Sequence, residues 1–173
     1  MIYALAYPRF DDEVTASIAE FRSRHEPDRA NLVAPHVTLV FALKRECLED
    51  FIRTCERVTS CTDEFEATFV GSEIVHDPFE NAYKMFLCLS NGQSQLISLH
   101  EKLYDGPQRS ELPPDVPYRP HMTVATNKER SELEKLDSTS IARFPISARI
   151  STVEIAELAK SNIQSLKTLR LRA

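Results

Sequence analysis

Pro35-His36-Val37-Thr38-Leu39 and Pro120-His121-Met122-Thr123-Val124 are one phrase written twice, once in each half of the 173-residue chain. On a β-strand successive side chains face opposite ways, so His36 and Thr38 share one face while Val37 and Leu39 share the other. The second copy sorts His121 and Thr123 from Met122 and Val124 in the same way. Each copy therefore presents an imidazole beside a hydroxyl on an apolar backing. Residue frequencies give one such pentad on the order of 0.01 times in a chain of this length, so two copies argue against coincidence. Pro35 and Pro120 suit strand starts, where a missing N–H breaks no ladder.

Working outward, the first half reads as strand (Ile2 to Tyr7), helix, loop, strand, helix. The helix from about Asp11 to His25 carries Val14, Ile18 and Phe21 at helical spacing with acidic residues in its first turn, and Pro27 ends it. The loop Asp28 to Ala34 leads into the first motif. A second helix, about Glu46 to Val58, gathers Leu48, Phe51, Ile52 and Cys55 on one side. Strands Glu64 to Val75 and Tyr83 to Leu89 follow, with Asp77-Pro78 and Asn81 as their turn. A third helix spans about Gln93 to Tyr104. The Pro-rich stretch Asp105 to Pro117 reads as an irregular loop that delivers the second motif. A short helix, about Lys128 to Leu136, and two strands, about Ile146 to Leu158 and Ile163 to Leu171, complete the chain, the strands pairing as a hairpin. The expected architecture is α+β, a single domain over residues 1–173. It has two pseudo-symmetric lobes, each a mainly antiparallel sheet with flanking helices, around a central groove.

Bulk properties narrow the function. Hydrophobic residues make up 42 % and charged residues 27 %, as in ordinary globular proteins. No apolar run reaches the roughly 18 to 20 residues of a membrane span, and Met1 to Tyr7 lacks the basic region and cleavage site of a signal peptide. A cytoplasmic protein without membrane contact is expected. Cys47, Cys55, Cys61 and Cys88 form no Cys-x-x-Cys pair and read as reduced thiols. The net charge of −5 disfavours a grip on long duplex nucleic acid, which needs a basic face, but allows one phosphate in a local positive pocket. Small nucleotides or RNA termini are the partners that fit, with the protein acting as a monomer. With only three glycines and no Gly-rich loop, a backbone phosphate cradle is absent.

Two histidines on opposite sides of a phosphorus suit in-line displacement, one neutral as base and one protonated as acid. Their unperturbed pKa near 6.5 is close to working pH. Thr38 and Thr123 would donate to the non-bridging oxygens. Two imidazoles and two hydroxyls make a poor zinc set, so neither metal nor other cofactor is expected. Arg119, on the His121 face by alternation, and Tyr118 are candidate contacts to phosphate or base; a solvated arginine is the alternative. Arg29 is a weaker candidate. Tyr3 and Tyr7 read as core or groove lining, and His25 and His100 as surface residues. Without useful turnover, the same groove would serve as a nucleotide or RNA-end binding module.

The paired His-x-Thr-apolar motifs resemble the signature of the 2H phosphoesterase superfamily, which includes 2′-5′ RNA ligase-like proteins and cyclic nucleotide phosphodiesterases. The prolines before each histidine, Phe41 after the first motif, Tyr118-Arg119 before the second, the motif spacing and the length resemble the family as well. The resemblance implies a phosphoesterase acting on a 2′,3′-cyclic, 2′-5′ or related cyclic phosphate, with ligation imaginable as the reverse reaction. It also adds Phe41 to the substrate contacts.

Overall fold

The computed structural model describes residues 1–112, 117–159 and 162–173. Among the described residues, eight strands and five α-helices follow in the order β1 (Ile2–Ala6), α1 (Asp12–His25), α2 (Pro27–Ala30), β2 (Val37–Leu43), α3 (Leu48–Ser60), β3 (Phe65–Asp77), β4 (Ala82–Leu89), α4 (Gln93–Leu103), β5 (His121–Asn127), α5 (Arg130–Glu134), β6 (Ile146–Ile150), β7 (Thr152–Ala159) and β8 (Asn162–Arg170). They form two four-stranded antiparallel sheets, ordered β2-β1-β7-β8 and β5-β4-β3-β6. Each sheet anchors one lobe. The unit β1-α1-β2 in one lobe is repeated as β4-α4-β5 in the other, and a motif opens the second strand of each.

Local chemistry sets these elements. Asp11 caps α1 by accepting from the Val14 amide at 2.8 Å, and Asp12 and Glu13 favour the positive end of the helix dipole. Ile18 and Phe21 then face the core. The turn from β4 into α4 passes through Gly92 at φ +81°, where a Cβ would lie 2.8 Å from the Glu66 carbonyl oxygen. Only glycine fits there. The helices cross between lobes: α1 packs against β5 and α4 against β2. Among the described residues no helix is long and apolar enough to cross a membrane.

Three sequence expectations change. Pro27 does not merely end α1; it opens the short helix α2, occupying the first-turn position where its missing N–H costs nothing. The stretch Ile146 to Leu158 is two strands, not one. It breaks at Ser151, with β6 beside β3 in one sheet and β7 beside β1 in the other; only β7 forms the hairpin with β8. Part of the supposed loop from Asp105 is a 3-10 turn over Pro107–Glu111, and residues 113–116 of it lie outside the described residues.

Candidate functional site

β2 and β5 are the edge strands of their sheets, and the two edges adjoin. Their registers match. Leu5 lies opposite Thr38 and Ala4 opposite Val40; Phe86 lies opposite Thr123 and Met85 opposite Ala125. One extra residue, Leu39 or Val124, is thus bulged immediately after each threonine. Val37, Leu39 and Val40 stay buried, as do Met122, Val124 and Ala125. The bulge reverses the alternation, so Phe41, which a strict period of two would place with Val37, emerges on the His36–Thr38 side, 45 % exposed. Thr126 emerges likewise in the other lobe.

The two imidazoles are anchored alike. Nδ1 of His36 lies 2.8 Å from the Ala34 carbonyl oxygen and Nδ1 of His121 lies 2.7 Å from that of Arg119. A carbonyl can only accept, so each Nδ1 carries the hydrogen and each Nε2 is left as the atom that gains or loses a proton. Burial pushes the His36 imidazole down to about 4; the Ala34 hydrogen bond opposes this, while the charges of Arg22, His121 and Arg29 add to it. His121 is lowered too, again chiefly by burial, with Glu73 pulling the other way. Both rings are therefore neutral near pH 7. His121 stacks on Phe86 with centroids 3.6 Å apart, and Tyr7 meets His36 edge-on at 6.2 Å.

The floor between them is apolar at its centre and charged around it. Leu5 and Phe86 are buried yet stand apart from the main core. Glu154 lies opposite Leu5 and Glu73 opposite Phe86, equivalent places in the two lobes. The Tyr7 hydroxyl donates to Glu154 at 2.9 Å, and Arg119 pairs with Glu73. Arg22 pairs with Glu26, Arg29 with Glu80, and Lys84 with both Asp77 and Glu80. The cations nearest the motifs are thus each matched by a carboxylate. Among the described residues no three His, Cys, Asp or Glu side chains are grouped to hold a metal ion.

The family model of the 2′-5′ RNA ligase superfamily matches residues 10–162. The chain belongs to that superfamily. No curated protein matches the sequence directly. The fold is similar to that of TT0787 of Thermus thermophilus, with a TM-score of 0.67 at 21 % identity over 99 % of this chain and 98 % of that one. It is also similar to E. coli LigT complexed with NADP+, at 0.59, 16 % identity, and 99 % and 97 % coverage. For Usb1 of Kluyveromyces marxianus the values are 0.54, 13 %, and 99 % and 97 %.

In this 2′-5′ RNA ligase-like fold the outer edge of β2 is closed by side chains of the opposite lobe. His100 Nδ1 lies 2.6 Å from the Leu39 carbonyl oxygen. The Tyr104 hydroxyl accepts from the Phe41 amide at 3.1 Å, and the Tyr118 hydroxyl donates to the Thr38 carbonyl at 2.9 Å. Tyr118 also lies flat on His100, with centroids 3.7 Å apart at 4°. This corrects one expectation. His100 is a buried residue, because it shares one helix face with Leu96, Leu99 and Leu103. Tyr118 has one ring face and its hydroxyl engaged by the protein, and through them it braces the motif strand. Arg119 is exposed but tied to Glu73. Tyr3 and Tyr7 stand half-buried on the groove side of β1. On the other flank, Arg22 donates to the Val33 carbonyl just before His36, and Thr126 reaches Glu26 at 3.5 Å.

Proposed function

We propose that the chain is a metal-independent phosphoesterase that opens a 2′,3′-cyclic, 2′-5′ or related cyclic phosphate of a nucleotide or RNA end, using His36 and His121 as the general acid–base pair. The observation that carries the reading is the matched anchoring of the two rings. Both Nδ1 atoms are held by the carbonyl two residues earlier, and both Nε2 atoms are left free beside a threonine of the same face. A binder needs positive charge; paired proton-transfer atoms on matched, bulged strands are what a two-sided displacement needs.

In the reaction, one Nε2 takes a proton from water as its oxygen attacks phosphorus. The other Nε2 gives a proton to the departing ribose oxygen as that P–O bond breaks. Thr38 and Thr123 donate to the non-bridging oxygens, whose charge persists through the transition state. Because burial keeps both rings neutral in the empty groove, the required imidazolium forms when the phosphodiester anion arrives and compensates its charge. The donor set favours proton chemistry over a metal, since no carboxylate or third imidazole joins the two histidines among the described residues. Arg119 and Phe41 complete the substrate contacts at the rim. The chain works as one domain over residues 1–173, since each lobe's helix supports the other's motif strand. Structures of E. coli LigT complexed with 3′-AMP and with ATP are in keeping with a nucleotide-sized groove.

The test is a panel of 2′,3′-cyclic mononucleotides, 2′-5′-linked dinucleotides and ADP-ribose cyclic phosphate, assayed with EDTA from about pH 4 to 8. Turnover that EDTA leaves intact and that His36→Ala and His121→Ala each lower roughly a hundredfold or more is the expected result. Tight binding with no product across the panel would make the protein a binding module.

A further inference from the structure

Phe79 is the most exposed large apolar side chain among the described residues, at 83 %, yet the turn that carries it is heavily braced. Asp77 Oδ1 accepts from the Phe79 amide at 2.9 Å and the Glu80 amide at 3.4 Å. Lys128 Nζ donates to the Glu80 and Asn81 carbonyls at 2.8 and 3.1 Å. Lys84, on the Phe86 face of β4, holds Asp77 and Glu80 and so draws the turn over the groove side of the sheet. Arg29 of the opposite lobe pairs with Glu80 and closes that end of the groove. A scattered exposed phenylalanine needs no explanation. One carried on a turn braced by Asp77, Lys84, Lys128 and Arg29 at the end of a candidate phosphate groove presents its ring to solvent from a fixed backbone position. Lys128 adds positive charge, because it is held by carbonyls and no carboxylate pairs with it among the described ion pairs.

We propose that Phe79 and Lys128 form a second binding site, for a nucleobase and adjoining phosphate of single-stranded RNA running past the reacting phosphate. The inference rests on the groove being the phosphodiester site and sharpens its substrate class: an RNA end rather than a free mononucleotide. Spacing supports this. Phe86 lies against His121, and the strand from Ala82 to Phe86 alone spans about 13 Å. The tip is therefore out of reach of a mononucleotide held between the histidines and within reach of a strand a few nucleotides long. Aromatic stacking tolerates any base, and a lone lysine suits one backbone phosphate, so recognition here is not sequence-specific.

The experiment compares a short oligoribonucleotide ending in a 2′,3′-cyclic phosphate with a 2′,3′-cyclic mononucleotide. The wild type should favour the oligonucleotide in kcat/KM. Phe79→Ala should lower that value roughly five- to a hundredfold through KM, the usual scale for one stacked base, and leave the mononucleotide value unchanged. Phe79→Trp should restore it, and Lys128→Gln should flatten the salt dependence by about one phosphate contact. No preference for the oligonucleotide, or equal losses on both substrates, overturns the proposal. Should neither substrate turn over, anisotropy with a labelled oligonucleotide bearing a 3′-phosphate still decides: equal affinities for wild type and Phe79→Ala sink the site.

Discussion

His36 should make the protein lose stability as pH falls through a defined window. Burial holds its folded imidazole at about 4, whereas the unfolded chain protonates it near 6.5. Between those values the unfolded state binds a proton that the native state refuses. The contribution is therefore fully present above about pH 6.5 and is lost as pH falls toward 4. The gap of about 2.5 pH units, at about 1.36 kcal/mol each, sets a ceiling of about 3.4 kcal/mol. The ring is half-buried, and solvent access reduces this to about 2–3 kcal/mol. His36→Gln supplies an amide of similar reach that does not titrate. Urea unfolding of wild type and His36→Gln at fixed ionic strength, in steps from about pH 4 to 7.5, gives two stability curves. Their difference cancels every other titrating group. It should change by about 2–3 kcal/mol across the window, favouring the wild type progressively toward neutrality. Parallel curves would mean that the His36 pocket does not resist protonation, and the account of a groove empty of charge before substrate arrives would fail with it.

Either His36→Ala or His121→Ala should lower turnover of a cyclic phosphate roughly a hundredfold or more, with the double mutant little worse than the weaker single, because the pair acts as a unit. The pH profile of kcat/KM should be a bell centred below about 6.5, since both free-enzyme pKa values are lowered; Thr38→Ala and Thr123→Ala should reduce its height without moving it. Tyr118→Phe keeps the ring on His100 but leaves the Thr38 carbonyl without its donor, so kcat should fall with KM nearly unchanged, whereas a substrate contact would show in KM. Gly92→Ala should lower the unfolding free energy by more than about 1 kcal/mol, because its Cβ meets the Glu66 carbonyl and φ is left-handed.

Much of this architecture was legible in the pattern of residues, some of it only in hindsight. The two pentads point directly to the paired edge strands. The break at Ser151 is written as a phase slip: Ile146, Ala148 and Ile150 are buried at even positions, Val153 and Ile155 at odd ones. A straight strand would turn the second set to the wrong face. The bulges are similarly visible as consecutive apolar residues, Leu39-Val40 and Val124-Ala125, after an alternating run. His100 stood in plain view at i, i+3, i+4 and i+7 spacing with Leu96, Leu99 and Leu103. The ion pairs were not legible. Glu73 meets Arg119 only through the register of β3, β4 and β5, and no local signal carries that information.

The exchange of supports between the lobes joins stability to chemistry. An unpaired sheet edge is a liability, because its free N–H and C=O groups invite another strand. Here both motif strands are edges, and β2 is capped by His100, Tyr104 and Tyr118 from the other lobe rather than by a further strand. A neighbouring strand would add backbone along that edge; these side chains satisfy Thr38, Leu39 and Phe41 without one. Tyr118 also stands only three residues before His121 and bonds the Thr38 carbonyl, so one residue links the backbones of the two motifs. In-line displacement demands that both imidazoles be placed to within a fraction of an ångström. Of the contacts that close the edge of β2, the Tyr118 bond to the Thr38 carbonyl is thus the one that also ties the backbone leading into His121 to the first motif.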